Sequence, residues 1–283
     1  MTTIGNKLQL VRARIAQACD KSHRPPADVR LLAVSKTFGA DVVREAAAQG
    51  QRAFGENYIQ EAVAKIEALP GLGLEWHCIG PVQSNKSRLV AQHFDWVHTV
   101  DRLKLAQRLS EQRAEGMAAL NVCLQVNIDA GATKSGITPE AALDLARTVA
   151  RLPRLRLRGL MTIPDPAEGF DAQCAVHAPA KALFDTVRAG LDEADRGDFD
   201  TLSMGMTADL EAAIHCGSTL VRVGTAIFGG RYRSSVARQS GYFLGGAKGF
   251  TAPQSVDSQR ADPLMELVWG WPWAVLMIFM SEV

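Results

Sequence analysis

Short apolar strand patterns alternate with helical patterns along most of this sequence, and this alternation constrains the possible fold more than any other feature. Eight strands are predicted, at residues 30–36, 52–56, 74–80, 95–100, 121–128, 155–161, 200–204 and 219–224. Helices are predicted at 3–19 and near residues 42–47, 57–68, 85–92, 102–115, 139–150, 172–194 and 207–216. Such alternation is typical of a parallel sheet covered by helices, and eight units favour closure into a (β/α)8 barrel, the TIM-barrel fold.

An open, doubly wound sheet is the alternative arrangement. Open sheets that bind dinucleotides carry a G-x-G-x-x-G turn after the first strand. Here that strand is followed by Ser35-Lys36-Thr37-Phe38-Gly39, which lacks this turn and therefore favours the barrel. In a barrel the chemistry lies at the carboxyl ends of the strands, so the residues that follow each predicted strand are the candidate site.

Lys36 is the first of these strand-end residues. It follows the apolar run Leu31–Val34, which suits a strand buried on both faces. Apolar neighbours disfavour the ammonium form of a lysine, and a neutral amine can attack an aldehyde to form a Schiff base. The alternative is a lysine whose ammonium group simply reaches solvent.

Strands seven and eight end in residues that suit an anion. Ser203 closes the seventh strand, and Gly224 and Thr225 follow the eighth. Barrels frequently bind a phosphate at this place, although a helix cap and a turn glycine would explain the same residues. Together with Lys36, the pattern indicates an aldehyde that also carries a phosphate, and pyridoxal phosphate is the commonest such ligand.

Arg222 lies between Val221 and Val223 on the eighth strand. An arginine is rarely buried without a partner. A pyridine nitrogen is a suitable acceptor, because arginine donates hydrogen bonds and keeps its proton. An ion pair with an acidic neighbour is the alternative.

Several motifs in the same order resemble those of one protein family. They are Ala33–Thr37, Phe54–Tyr58, Trp76–Gly80, Gln83–Lys86, Lys134–Gly136, Arg158–Met161, Leu202–Met206 and Arg222–Gly229. The sequence resembles the pyridoxal phosphate homeostasis proteins, which are related to the N-terminal barrel of alanine racemase. The resemblance extends from about residue 4 to about residue 232.

The resemblance implies a cofactor, pyridoxal 5′-phosphate, and a role for each residue of the site. By this resemblance, Lys36 forms the Schiff base and Arg222 faces the ring nitrogen. The phosphate is bound by Ser203, Gly224 and Thr225. Asn57 lies beside the ring, and His77 and Met161 form part of the cavity wall. No metal is expected.

The resemblance also implies a function. Members of the family are mostly monomers that lack a well-established catalytic activity and act in vitamin B6 homeostasis. We therefore expect a monomeric carrier of pyridoxal phosphate, with cofactor-free forms of enzymes that use it as possible partners. The alternative is an amino-acid racemase. Racemase relatives carry a second, β-rich domain with a catalytic tyrosine, whereas Tyr242 is the only tyrosine here after residue 232. An arginine at the ring nitrogen also weakens the ring as an electron sink.

Charge and cysteine content limit the partners and the compartment. A formal net charge of +1 gives no electrostatic reason to expect nucleic acid. Five scattered cysteines form no C-x-x-C pair, so neither a disulfide framework nor a zinc site is expected. The N-terminus shows no secretory signal pattern. A cytoplasmic location is the resulting prediction.

The chain is expected to divide into a barrel at 1–232 and an atypical, poorly ordered tail at 233–283. The segment Leu264–Met280 is apolar except for Glu266, Gly270 and Pro272. It is shorter than the roughly 20 residues of a membrane helix, so membrane contact is not expected. Packing of the tail on the barrel and an appendage without function are the other interpretations.

Overall fold

The structure, a computed structural model, describes residues 3–131 and 134–230. The tail at 233–283 lies outside these residues, and its interpretation and the boundary at 232 stay predictions. No helix in the described ranges combines the length and the apolar character that crossing a bilayer requires.

Eight parallel strands form a closed barrel in which each strand pairs with its neighbours in chain order. They are β1 Arg30–Val34, β2 Ala53–Glu56, β3 Glu75–Cys78, β4 Trp96–Val100, β5 Leu120–Val126, β6 Leu155–Thr162, β7 Thr201–Ser203 and β8 Leu220–Val223. The barrel closes between β8 and β1, where Leu31 pairs with Val221. The predicted (β/α)8 fold is confirmed.

The described part of the chain contains ten α-helices around the barrel. They are α1 Ile4–Lys21, α2 Ala40–Ala48, α3 Ile59–Ala68, α4 Ser87–His93, α5 Leu103–Gln112, α6 Ala142–Ala150, α7 Phe170–Gly190, α8 Glu193–Arg196, α9 Leu210–His215 and α10 Thr225–Phe228. The longer helices bury one apolar stripe. In α1 this stripe is Leu8, Val11 and Ile15, at the three- and four-residue spacing of one helix face.

Side chains from the strands fill the barrel interior. One apolar cluster consists of Leu32, Ala53 and Leu220, and another of Trp96, Cys123 and Met161. Polar side chains are buried beside them, namely His77, His98, Ser203 and Arg222. The strands therefore contribute buried residues to both faces, which explains why their sequences are almost continuously apolar.

Several strands are shorter at their carboxyl ends than the sequence predicts. The first ends at Val34 and the third at Cys78, so that Lys36 and Gly80 lie in loops. The chain leaves the barrel wall after β1 because Thr37 adopts a left-handed conformation, with φ of 70°. Lys36 is thus part of a turn above the barrel wall.

Gly159 allows β6 to follow its neighbours closely. Its φ is 155°, and a Cβ at this position would lie 1.7 Å from the carbonyl oxygen of Thr201 on β7. The pairing of β5 with β6 shifts register between Val122 and Cys123, next to this glycine. Only glycine fits this close approach of two strands.

Candidate functional site

A cavity of about 390 Å³ opens at the carboxyl end of the barrel. It brings together five of the six residues predicted for the site, which are Lys36, Asn57, Arg222, Gly224 and Thr225. The remaining lining residues are Val34, Thr37, Phe38, Ile79, Ile163, Met206, Thr207, Ala208 and Gly229. This volume is within the range of pockets that hold small molecules.

Ser203, the sixth predicted residue, lies beneath the cavity and is not one of its lining residues. Its side chain is fully buried at the end of β7. Its hydroxyl oxygen accepts from Arg222 Nη1 at 2.8 Å and lies 3.0 Å from His98 Nδ1. The predicted contact between Ser203 and a phosphate stays a prediction, and in this structure the hydroxyl contacts Arg222 instead.

His77 and Met161, expected as wall residues, are fully buried in the barrel interior. Met161 packs with Trp96 and Cys123, and the His77 ring stacks on Trp96 at a centroid distance of 5.1 Å. Neither lines the cavity. Their expected wall role is not supported, because both side chains are buried in the barrel interior and do not reach the cavity.

The backbone on both sides of Lys36 is held by one ion cluster, in which Lys65 and Glu56 are buried and Glu61 is partly exposed. Lys65 Nζ donates to the carbonyl oxygen of Ser35 at 2.9 Å and contacts Glu56 Oε1 at 2.8 Å and Glu61 Oε1 at 2.6 Å. Glu61 Oε1 also accepts the backbone N–H of Thr37 at 2.8 Å. Both neighbours of Lys36 are therefore fixed by the same group of charges.

Glu56 completes this cluster from β2. Its carboxylate is fully buried and accepts from the Ser35 hydroxyl at 2.6 Å as well as from Lys65. Burial raises the pKa of Glu56, while the hydrogen bonds from Lys65 and Ser35 oppose the shift. Three acceptors satisfy the three N–H groups of the Lys65 ammonium, which is the condition for burying such a charge.

Arg222 is almost completely buried, and its two hydrogen bonds to described residues go to uncharged oxygens. Nη1 donates to Ser203 Oγ and Nη2 donates to the carbonyl oxygen of Thr162 at 3.0 Å. Burial lowers the pKa of Arg222 to about 10, so it stays cationic at neutral pH. Two bonds use only part of its five N–H groups, which leaves donors for a ligand in the cavity.

The hydroxyls among the lining residues suit an anion. Thr225 Oγ1 and Thr207 Oγ1 lie 3.5 Å apart. A Cβ at Gly224 would lie 3.1 Å from the carbonyl oxygen of Val34, so the glycine keeps β8 close to β1 here. The loop with Thr207 is held by Asp209, which accepts the Met206 N–H at 2.6 Å. Two hydroxyls and a close backbone approach provide a polar cradle.

The residues present fit pyridoxal phosphate. Asn57 Oδ1 is buried and has no hydrogen-bond partner among the residues that the structure describes, so it can accept from a polar group of a ligand. Lys36 supplies an amine, Arg222 a donor, and the Thr207–Thr225 pair hydroxyls for a phosphate. These side chains can pair with the aldehyde, the ring nitrogen and the phosphate of the cofactor.

The sequence did not indicate Lys65, Glu61 or His98 as supporting residues. Lys65 follows Glu61 by four residues on α3, a spacing that is typical of an exposed helix pair, yet Lys65 is buried. His98 lies two residues after Trp96 on β4, and this alternation was the available signal for an inward position.

Lys134 pairs with Asp129 and with Asp165, so its ammonium already has acidic partners.

Comparison with known proteins agrees with this geometry. Residues 7–232 match the family model described as alanine racemase, N-terminal domain. The pyridoxal phosphate homeostasis protein of Pseudomonas aeruginosa is 55% identical over 231 residues, which are 82% of this chain and 97% of that protein.

Two solved structures are similar to the barrel. PipY of Synechococcus elongatus PCC7942, solved with PLP bound, is 36% identical with a TM-score of 0.63, and the match covers 76% of this chain and all of PipY. Alanine racemase from Corynebacterium glutamicum is 16% identical with a TM-score of 0.56, covers 82% of this chain and 64% of the racemase, and supports the fold alone. The chain belongs to the alanine racemase N-terminal domain family, among the pyridoxal phosphate homeostasis proteins.

Proposed function

We propose that this protein binds pyridoxal 5′-phosphate in the cavity at the carboxyl end of the barrel and acts in the homeostasis of that cofactor. The observation that carries this proposal is the meeting of Lys36, Asn57, Arg222, Gly224 and Thr225 in one cavity of about 390 Å³. The names of its relatives and the PLP-bound structure of PipY support the choice of ligand.

Each of these residues has one task. When bound, pyridoxal phosphate supplies an aldehyde that reacts with amines and a pyridine ring that draws electrons from the attached group. Lys36 is the amine for covalent attachment, and the Lys65 cluster holds the backbone on both sides of it. Thr225 and Gly224 bind the phosphate, and Asn57 contacts the side of the ring.

Arg222 donates to the ring nitrogen. Because an arginine keeps its proton, it leaves that nitrogen without one, and the ring then withdraws electrons less strongly. Lys36 and Arg222 are the ionisable side chains among the lining residues that the structure describes. A racemase needs a base on each face of the substrate. One amine without a second base favours a carrier over the racemase alternative.

A carrier needs acceptors for its cofactor. We propose cofactor-free forms of pyridoxal phosphate enzymes as those acceptors, with this protein acting as a monomer. Cys19, Cys78, Cys123, Cys174 and Cys216 are free thiols, which supports the reducing cytoplasm as its compartment.

Absorbance and chemical trapping test the binding proposal. The purified full-length protein should be yellow, and borohydride should fix the cofactor mass on the peptide that contains Lys36. Lys134, which lies beside the neighbouring cavity of about 260 Å³, provides the internal comparison. Label recovered on Lys134 in place of Lys36 contradicts the assignment.

Two reactions separate the carrier from the racemase. Mixed with a cofactor-free aminotransferase, the loaded protein should restore its activity, whereas a Lys36→Ala variant should not. Exchange of the α-proton of alanine in heavy water should remain far below ordinary enzyme rates, which are on the order of 1–10³ per second. Exchange at such rates that depends on Lys36 establishes the racemase instead.

A further inference from the structure

A series of buried polar side chains crosses the barrel interior beneath the cavity. Arg222 Nη1 donates to Ser203 Oγ at 2.8 Å, and Ser203 Oγ lies 3.0 Å from His98 Nδ1. His98 Nε2 lies 2.8 Å from His77 Nδ1, and His77 Nε2 lies 2.6 Å from Glu75 Oε1. We call these five residues the interior network.

The interior network joins the cavity to the opposite end of the barrel. Arg222 lines the cavity, whereas Glu75 is the first residue of β3 and therefore lies at the amino end of the parallel strands. There Glu75 accepts from Arg30 Nη2 at 2.5 Å, and Arg30 is the first residue of β1. Arg222 is thus connected through Ser203, His98 and His77 to the Arg30–Glu75 ion pair, about one strand length away.

The two ends of the interior network fix the direction of each hydrogen bond. A carboxylate can only accept, so His77 donates to Glu75 through Nε2. A neutral His77 then accepts at Nδ1 from His98 Nε2–H, and a neutral His98 accepts at Nδ1 from the Ser203 hydroxyl. This leaves Ser203 Oγ to accept from Arg222, which can only donate. Every donor meets one acceptor when both imidazoles are neutral and protonated at Nε2.

Burial supports these protonation states. His77, His98 and Ser203 are fully buried, and an added proton on His77 Nδ1 would face the N–H of His98. Burial lowers the pKa of His77, although Glu75 opposes the shift. Burial also lowers the pKa of His98 well below its usual value, and the charge of Arg222 acts in the same direction. Both rings are therefore neutral at neutral pH.

We propose that His98, His77 and Glu75 are positioning residues for Arg222, acting through Ser203 to fix the guanidinium against the cavity. The proposal rests on the proposed function, in which Arg222 donates to the ring nitrogen of pyridoxal phosphate. A free arginine side chain loses rotamer freedom when it binds a ligand. The bonds to Ser203 and to the Thr162 carbonyl oxygen remove that freedom beforehand, so less affinity is lost on binding.

Nitrogen NMR of the full-length protein without cofactor tests the direction of the bonds. The chain has six histidines, and His77→Phe and His98→Phe variants assign their signals. At pH 7.5 we expect both rings as single Nε2–H tautomers. In Glu75→Ala the last acceptor is gone, and we expect the His98 signals to change although His98 does not contact Glu75 directly. An Nδ1–H tautomer at either ring, or His98 signals unaffected by Glu75→Ala, overturns the proposal.

Ligand binding tests the effect on Arg222. The probes are pyridoxal phosphate and an analogue with carbon in place of the ring nitrogen. The wild-type protein should bind pyridoxal phosphate about tenfold more tightly or better, as expected for a hydrogen bond to a charged donor. We expect this ratio to fall towards one in His98→Phe and in Glu75→Ala.

Asp200→Asn is the matched control. Asp200 also precedes a strand at the amino end and pairs with an arginine, Arg158, at 2.5 Å, and its other side-chain bond is to Thr201. The control should keep the wild-type ratio between the affinity for pyridoxal phosphate and the affinity for the carbon analogue. Lower melting temperatures with an unchanged ratio in His98→Phe and Glu75→Ala would show that the interior network only fills the core, and this result overturns the proposal.

A failure of the positioning role can be distinguished from a failure of pyridoxal phosphate binding. If His98→Phe does not fold, Glu75→Ala decides, because this side chain is partly exposed at the end of the barrel. If the protein binds neither probe, the proposed function fails and the positioning role towards the ring nitrogen fails with it. The tautomers measured without cofactor then still show whether the hydrogen bonds run in one direction.

Discussion

At the scale of residues, the cavity combines an amine for a covalent bond with donors for an anion. Lys36 supplies an amine and Arg222 a guanidinium to its lining, and Thr225 and Thr207 supply hydroxyls. Ser203 differs from Thr225 although the sequence predicts the same phosphate role for both. Its hydroxyl points into the interior network, whereas Thr225 lines the cavity.

Thr225→Ala and Ser203→Ala should therefore have different effects. A hydroxyl bonded to a charged group contributes about 1.5–3 kcal/mol, so Thr225→Ala should weaken pyridoxal phosphate on the order of tenfold or more and leave pyridoxal almost unchanged. Ser203→Ala should weaken both ligands equally, because both carry the ring nitrogen that Arg222 contacts. Titration calorimetry with the two ligands measures this. A loss confined to pyridoxal phosphate in Ser203→Ala would support the phosphate contact predicted from the sequence.

At the scale of elements, the turn after β1 depends on α3. Lys65 and Glu61 on this helix hold the carbonyl oxygen of Ser35 and the N–H of Thr37. The left-handed conformation of Thr37 is unfavourable for a β-branched residue, and these bonds keep the turn in place. The position of Lys36 is thus set by a helix that contributes no side chain of its own to the cavity.

Lys65→Met should destabilise the fold and disturb Lys36. Removing the cation leaves the buried Glu56 without its ion partner, which costs about 3–5 kcal/mol of unfolding free energy. Urea denaturation measures this loss, and the rate at which added cofactor develops its yellow absorbance reports on Lys36. Lys181→Met is the control, since Lys181 pairs with Asp185 on the surface and such pairs contribute at most about 1 kcal/mol. Equal losses of unfolding free energy in Lys65→Met and Lys181→Met would contradict a special role for the Lys65 cluster.

At the scale of the whole molecule, the barrel has a polar interior that is satisfied only in one protonation state. His77 and His98 lie near the charged groups of Glu75, Arg30, Asp95 and Arg222. The folded-state pKa of each histidine is lowered by burial, so below about pH 6.5 the unfolded chain binds more protons than the folded chain. The stability that depends on neutral histidines is complete above about pH 6.5 and declines as the pH falls below this value.

We therefore expect unfolding free energy to decrease between pH 7 and pH 5. Each histidine contributes a slope of up to about 1.4 kcal/mol per pH unit. Chemical denaturation at several pH values gives the slope, and His98→Phe should reduce it. His215→Asn, at an exposed position, is the control and should keep the wild-type slope. A wild-type stability that does not change over this range would rule out neutral, buried histidines.

The tail provides a second test at this scale. A chain ending at Ser240 should remain yellow and bind the cofactor with unchanged affinity, because the eight strands and the residues of the cavity all precede it. Absorbance and size-exclusion chromatography compare it with the full-length protein. Loss of folding after truncation would mean that residues 241–283 belong to the stable unit.

The sequence alone determined the architecture and most of the site. Alternating strand and helix patterns predict the barrel, because strands buried on both faces and helices with one apolar stripe leave distinct periodicities. Since parallel strands end at one face, Lys36, Arg222, Gly224 and Thr225 could be placed together before any distance was known.

Only the tertiary structure decided what supports these residues. His98 and Ser203 are 105 residues apart in sequence, and Lys65 lies 30 residues from Ser35, yet each pair is hydrogen bonded. The direction of a side chain within a closed barrel depends on the stagger and register of all eight strands, which no local pattern records. The orientation of Ser203 towards Arg222 and the burial of Lys65 follow from that geometry, because partners for buried polar groups are found across the barrel and not along the chain.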